Sequence, residues 1–517
     1  MNRFRKMKTF GLVLALVLAV VMTGCASAAT PTPAAATPTA APTVAPAVTV
    51  KWVILAEKQD GSDAVWAEVN KLVAEKLPNT SVEFITAGFG GYADKINGMI
   101  AAGEDFDIMW ASDWLGDYIG KVNAGAFQPI DVLMDQYAPK LKTFVPEWML
   151  NAGLLNGKIY GLLNYQQLWR SFGIVTRDTI ATKYSLDMAK FATDSANRSL
   201  KSIDVMKNDL EPALAKAFAD TSKAELYILN SSGLAETMLY RDLEPIYSVA
   251  SIDKFAATDV KVVNTYKTQA YKDMIALAAD WYAKGYIRKD ITTAANPSTL
   301  DERKQYVVEI GNAGTPEDFN IEMTQTFGEP TSGSSFAPIY IPYNAGSATM
   351  NFINAKSKNP DRAIQLLELV NTDATIYNTM VFGIEGVQYT MPRTPVADDV
   401  VPMQPIAGAP AYGLYDWVVG NVANSWGRYK AFVDYRFTKW NAEGIQSPVF
   451  GFRPTISAIQ DDVAKCNAVI EEYKYLMSGA DKDYLTHYDE FIAKLDAAGA
   501  ENILAELQTQ VDSFLKK

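Results

Sequence analysis

Residues 48–125 alternate between two hydrophobic periods, and this alternation constrains the fold more than any other feature of the chain. "VTVKWVILAE" (48–57), "SVEFITAGF" (81–89) and "DFDIMWA" (105–111) are β-rich runs. Between them, "DAVWAEVNKLVAEKL" (63–77) places Trp66, Val69, Leu72, Val73 and Leu77 on one helical face, and "YADKINGMIAA" (92–102) reads as a shorter helix. "DWLGDYIGKVNAG" (113–125) reads as a third helix closing at a glycine. A βαβαβα series predicts a parallel, doubly wound sheet. Ligands of such sheets bind beyond the carboxyl ends of the strands. That rule puts "EKQDGS" (57–62), "AGFGGY" (87–92) and "WASDW" (110–114) at the mouth.

The rest of the chain is less regular. "GKIYGLLNYQQLWR" (157–170) leaves the first unit. Helices are predicted over 202–220 and 270–287, and "QYVVEIGNAG" (305–314) reads as a buried strand. "NPDRAIQLLELV" (359–370) begins with Asn at a plausible N-cap and Pro at the first helical position. Toward the C-terminus, Tyr488, Phe491, Ile492 and Leu495, then Leu504, Leu507, Val511 and Phe514, form successive apolar stripes that read as core.

The N-terminus carries a targeting pattern. Arg3, Arg5, Lys6 and Lys8 precede "FGLVLALVLAVVM" (10–22), an apolar run of secretory length and short for a membrane span. "MTGC" (22–25) is similar to a bacterial lipobox, with Met22 where Leu is more common. That similarity implies cleavage before Cys25 and lipidation of its thiol. The alternative is an ordinary signal peptide cut near "ASA" (26–28). Residues 1–24 therefore read as a leader. Residues 25–48, rich in Ala, Thr and Pro, read as an unfolded tether with a reach of about 70 Å.

Composition excludes several classes of function. The chain is 517 residues long, 49% hydrophobic and 21% charged, which is ample for a large core. A net charge of −12 argues against nucleic acid. It also means that any attachment to an anionic membrane must come from the lipid. Cys25 and Cys466 are the two cysteines; acylation of the first leaves no intrachain disulfide, and Cys466 reads as core. His487 is the single histidine, in a polar segment that reads as surface, so any Ser-His-Asp or Cys-His arrangement would have to use it. No nucleophile elbow, zinc set, Walker loop or dinucleotide fingerprint is present. "DKDYLTHYDEFI" (481–492) lacks the glycine and terminal glutamate of a calcium loop. No cofactor or metal is predicted. A glycosidase needs only two carboxylates, and 59 acidic residues leave that possibility open.

The chain after the tether resembles the LipO-like branch of the family-1 extracellular solute-binding proteins, the capture subunits of ABC importers. "GAFQPIDVLMDQYAP" (125–139) with "NGKIYGLLNYQ" (156–166), and "KYSLD" (183–187) with "NDLEPALAK" (208–216), carry the resemblance. So do the run at 346–389, "SPVFGFRP" (447–454) and the ending at 494–514. Gln388 departs from a frequent His, Arg453-Pro454 replaces an aspartate-containing turn, and residues 188–199 look inserted. The resemblance implies an α/β, two-lobed, type II periplasmic-binding fold with hinge-linked, discontinuous lobes and a helical C-terminus. The assignment is 49–164 plus 305–350 to lobe one, and 165–304 plus 351–517 to lobe two. The expected function is a monomeric, lipid-anchored receptor on the outer face of the cell membrane. It would bind a sugar, with a peptide as the alternative ligand, and pass it to an ABC permease.

A sugar cleft needs flat aromatic walls for C–H faces and fixed polar groups for hydroxyls. Trp114 and Asp113 head the candidates, with Asp113 read either as a ligand group or as an N-cap, and Trp110 read as core. Tyr165, Gln166, Trp169 and Arg170 follow the expected first hinge, and Tyr343 and Asn344 precede the second return. Glu385 sits between two glycines, and the resemblance points it toward the ligand. Trp426 and Asp60 complete the set.

Overall fold

The computed structural model describes residues 47–155, 157–170, 172–221, 227–228, 241–292, 304, 306–312, 323–324, 326–335 and 338–516. The leader, Cys25 and nearly all of the tether lie outside them.

The opening series folds as its periodicity requires. It comprises β1 (Val48–Leu55), α1 (Ser62–Lys76), β2 (Thr80–Ala87), α2 (Tyr92–Ala102), β3 (Ile108–Ala111) and α3 (Tyr118–Asn123). β1 pairs in parallel with β2 and with β3. The sheet is mixed rather than wholly parallel. The strand Met350–Ile353 pairs antiparallel with β3 on one side and with Gly161–Leu163 on the other. A second sheet orders Thr331–Ser335, Phe172–Arg177, Glu309–Asn312 and Tyr227–Ile228, and a third joins Leu243–Tyr247, Ala250–Asp253 and Val262–Asn264.

Two large apolar cores follow from these sheets. The first contains Val53, Ile54, Val69, Ile108 and Trp110, with Leu367, Tyr377, Val381 and Val418. The second contains Ile174, Phe191, Leu214, Ile252 and Trp281, with Val308, Cys466, Phe491 and Leu507. This packing differs from the lobe assignment made from sequence. Residues 307–312 and the strand Thr331–Ser335 go with the second core and its sheet, and 351 to about 419 with the first. The reason is topological: Met350–Ile353 is an interior strand of the first sheet, so Pro360–Thr372 and Ala374–Phe382 are laid on that sheet and on α1. Pro360 occupies the first turn as expected, while Asn359 stands at the N-cap without capping it, its side-chain amide donating instead to Asp107 Oδ1 at 3.4 Å. Cys466 is fully buried, and His487 is partly exposed with Nδ1 2.7 Å from Asp481 Oδ2.

Segments passing between the cores near 164–170, 338–350 and 441–452 are joined to one another. The backbones of Arg170 and Tyr340 bond reciprocally, and Tyr340–Ile341 pairs with Ile445–Gln446. Buried Glu244, on the third sheet, binds two of these segments. Its Oε2 accepts from Tyr340 Oη and Ser447 Oγ, each at 2.6 Å, and its Oε1 accepts from the Tyr343 amide at 2.6 Å.

Candidate cleft between the two cores

The loop after β3 does not begin a helix at Asp113, as its sequence suggests. Residues 112–117 form a turn, and α3 starts at Tyr118. The break lies at Gly116 and Asp117, both with positive φ (99° and 43°), and Asp117, a residue type that tolerates this region, caps the helix by accepting from the Gly120 amide. Asp113 is therefore not an N-cap. Its Oδ2 accepts from Asn344 Nδ2 at 2.6 Å and Ser347 Oγ at 2.8 Å. Trp114 is 52% exposed, and its indole N–H donates to the Ala348 carbonyl at 2.8 Å, which fixes the ring at the loop edge. Trp110 is fully buried, as its strand position predicts, and donates to Thr349 Oγ1 at 2.7 Å.

Asp113 and Trp114 line a cavity of about 440 Å³ between the two cores, within the range of small-molecule sites. From the first core come Asp113, Trp114, Asp117, Tyr118 and Ile119. From the linking segments come Arg170, Tyr343, Asn344 and Ser347, and from the opposite side Tyr247, Arg453, Pro454 and Ile456. A smaller cavity of about 160 Å³, lined by Lys201–Ile203, Asp242, Gln269, Ala270 and Asp273, lies away from this loop edge; the site falls at the larger one, which meets the carboxyl ends of the parallel strands.

Arg453 organises one wall. Its Nε donates to Tyr118 Oη at 2.9 Å, Nη1 donates to the carbonyls of Tyr343 and Phe452, and Nη2 donates to the Ala152 carbonyl at 2.9 Å. Burial pushes the Tyr118 phenol above its ordinary pKa, against the opposing pull of the Arg453 charge. Tyr343 is held at both ends, by Glu244 at its amide and by the Ile246 carbonyl at its hydroxyl, and burial raises its pKa too. At neutral pH both phenols are neutral and can donate or accept hydrogen bonds. The cavity thus offers aromatic faces beside carboxylates, amide, hydroxyl and guanidinium groups.

Five of the candidates named from sequence meet here: Asp113, Trp114, Arg170, Tyr343 and Asn344. Five do not. Asp60 is exposed in the β1–α1 loop. Half-buried Tyr165 donates its hydroxyl to the Phe437 carbonyl. Trp169 is 1% exposed and donates to the Arg436 carbonyl, so it is core. Glu385 is exposed on a tight turn, and half-buried Trp426 packs near Tyr389. Gln166 accepts from Asn441 at its carbonyl and does not line the cavity. Gln388, the departure from a frequent His, accepts from the Ile384 amide inside its own loop. Sequence reasoning missed Tyr118, Tyr247 and Arg453 as cleft residues; the Arg453-Pro454 departure was the available signal for the last.

The architecture is the two-lobed, type II periplasmic-binding fold, with mixed helix and strand in each half. Residues 56–174 match the family described as bacterial extracellular solute-binding protein, and residues 448–516 match a domain of unknown function, DUF3502. A carbohydrate ABC transporter substrate-binding protein of Streptococcus pneumoniae is 24% identical over 483 residues, covering 90% of this chain and 91% of that protein. Among solved structures, the N-glycan transport solute-binding protein of Streptococcus pneumoniae is 21% identical, with 91% of this chain and 99% of that chain covered and a TM-score of 0.75. Its complex with Man5GlcNAc gives 20% identity, coverage of 90% and 98%, and a TM-score of 0.65. The resemblance to extracellular solute-binding proteins read from the sequence is carried by both the matched segments and the fold.

Proposed function

We propose that this chain is an extracellular receptor, anchored through lipidated Cys25, that captures an oligosaccharide between its lobes and delivers it to an ABC importer. The observation that carries this reading is the composition of the cavity wall. Trp114, Tyr247 and Tyr343 offer flat faces, while Asp113, Asn344, Arg170 and Arg453 supply hydroxyl partners at fixed positions. The printed descriptions of the similar carbohydrate and N-glycan transport proteins support the same ligand class. Hinge rotation about the linked segments would close the lobes on the ligand.

Binding without turnover is part of the proposal. The two aspartates in the cavity are already engaged by protein donors, Asp113 by Asn344 and Ser347, and Asp117 by the Gly120 amide. Calorimetry of the mature protein against sugar and peptide panels tests the reading. The expected result is saturable sugar binding, with the sugar recovered unchanged. Hydrolysis of the bound sugar, or binding confined to peptides, would overturn it.

A further inference from the structure

We propose that Phe89, Trp114, Tyr415 and Trp417 form a second sugar subsite on the rim of the cleft, so that the ligand is an oligosaccharide long enough to occupy cavity and rim together. This rests on the reading that the cleft binds sugar. The rings come from three separate loops. Phe89 follows β2, Trp114 follows β3, and Tyr415 and Trp417 lie some 300 residues further on. Phe89 stacks on Trp114 at 6.0 Å and meets Tyr415 edge-on at 5.2 Å; Tyr415 stacks on Trp417 at 5.5 Å, and Trp417 lies 6.0 Å from Trp114. Phe89, Trp114 and Tyr415 are 44%, 52% and 45% exposed. Contiguous exposed aromatic surface marks a binding surface more often than scattered apolar residues do.

The platform is fixed from beneath. Fully buried Asn164 donates to the carbonyls of Trp417 and Val418, and Thr349 Oγ1 donates to the Trp417 carbonyl at 2.7 Å. Tyr377 Oη donates to the Asp416 carbonyl, and Arg428 pairs with the Asp416 carboxylate. Gln59 Nε2 donates to the Gly413 carbonyl at 2.7 Å, tying the far loop to the end of β1. A surface held this rigidly loses little conformational freedom on binding. Trp114 belongs to both the cavity and the platform, so the two surfaces are continuous, and a chain of pyranose rings leaving the cavity would run onto flat apolar faces. The platform is built on the first core alone, so it is available to the ligand while the lobes stand apart.

The test uses calorimetry with Man1GlcNAc, Man5GlcNAc and gluco-oligosaccharides of increasing length, on wild type, a Phe89→Ser/Tyr415→Ser double variant and Tyr415→Phe. Wild type should bind the longer members of the preferred series at least tenfold more tightly than the shortest. The double variant should lose that gain while keeping its affinity for the shortest member and its unfolding temperature, and Tyr415→Phe should keep the gain. Equal affinity of short and long members for wild type, or an undiminished gain in the double variant, overturns the subsite and leaves the sugar cleft standing. Absence of binding by every saccharide overturns the sugar reading and the subsite with it.

Discussion

Tyr340 and Ser447, from two different segments passing between the cores, donate to the same oxygen of Glu244, each at 2.6 Å. The carboxylate is buried and its other oxygen holds the Tyr343 amide. Removing it strands three buried donors, and each unpaired donor costs on the order of 1–3 kcal/mol. Glu244→Ala should therefore destabilise the protein by roughly 3 kcal/mol or more, whereas Glu244→Gln, which retains an acceptor, should cost less. Urea denaturation measures both; equal losses would show that the acceptor is not what matters.

Lys254 lies in the same cluster, its ammonium 5.0 Å from the Tyr340 ring. Burial pushes its pKa from 10.5 down to about 8, against the raising influence of Glu244. Between these two values the unfolded chain holds a proton that the folded chain has released. Stability from this group therefore increases as pH rises from about 8 to 10.5. Subtracting the pH–stability curve of Lys254→Met from that of wild type should isolate this rise, and parallel curves would rule out Lys254 as its source.

Trp114→Ala should weaken sugar binding at least tenfold, about 1.4 kcal/mol. The ring is half exposed and makes one hydrogen bond, to the Ala348 carbonyl. Thermal unfolding should shift by no more than a few degrees, a size set by surface substitutions. Unaltered affinity in calorimetry would remove Trp114 from the site. Trp169→Ala makes the contrast: its buried ring predicts a loss of about 3–5 kcal/mol in stability.

Arg453→Lys should reduce affinity by tenfold or more despite conserving charge. A lysine has one nitrogen where the guanidinium fork reaches Tyr118, Tyr343, Phe452 and Ala152 together. Restoration of wild-type affinity by lysine would mean that only the charge counts.

Cys466 should resist thiol reagents in the native protein at pH 8. Burial pushes its thiol up to about 11, and the residue has no exposed surface. Ellman's reagent should titrate one thiol after denaturation, counting a chain in which Cys25 is acylated; prompt reaction of the native protein would contradict the packing.

Local order was legible because it depends on local pattern. α2 begins and ends where its periodicity does, and the strand position of Trp110 identified it as core. The strand pattern predicts Trp114 at the mouth of the sheet in the first turn of a helix, and no helix forms there. Trp114 sits in a turn, because Gly116 and Asp117 delay the helix to Tyr118. Tyr415 and Trp417 carry no periodic signal; what makes them part of the rim is contact with Phe89, more than 300 positions earlier. The same limit explains the lobe boundaries. A strand's place in a sheet depends on partners such as β3 and Gly161–Leu163, which the sequence around Met350–Ile353 does not name.

The indoles of Trp110, Trp114 and Trp417 stand 5.7–6.0 Å from one another, at ring angles between 52° and 65°. At such spacing and tilt, their electronic transitions couple. Circular dichroism of the protein at about 225 nm, where the strong indole band absorbs, should therefore carry an exciton contribution from this triad. One ring of the triad is buried and another is half exposed, so the protein holds a chromophore whose inner part is shielded and whose outer part meets whatever arrives at the rim.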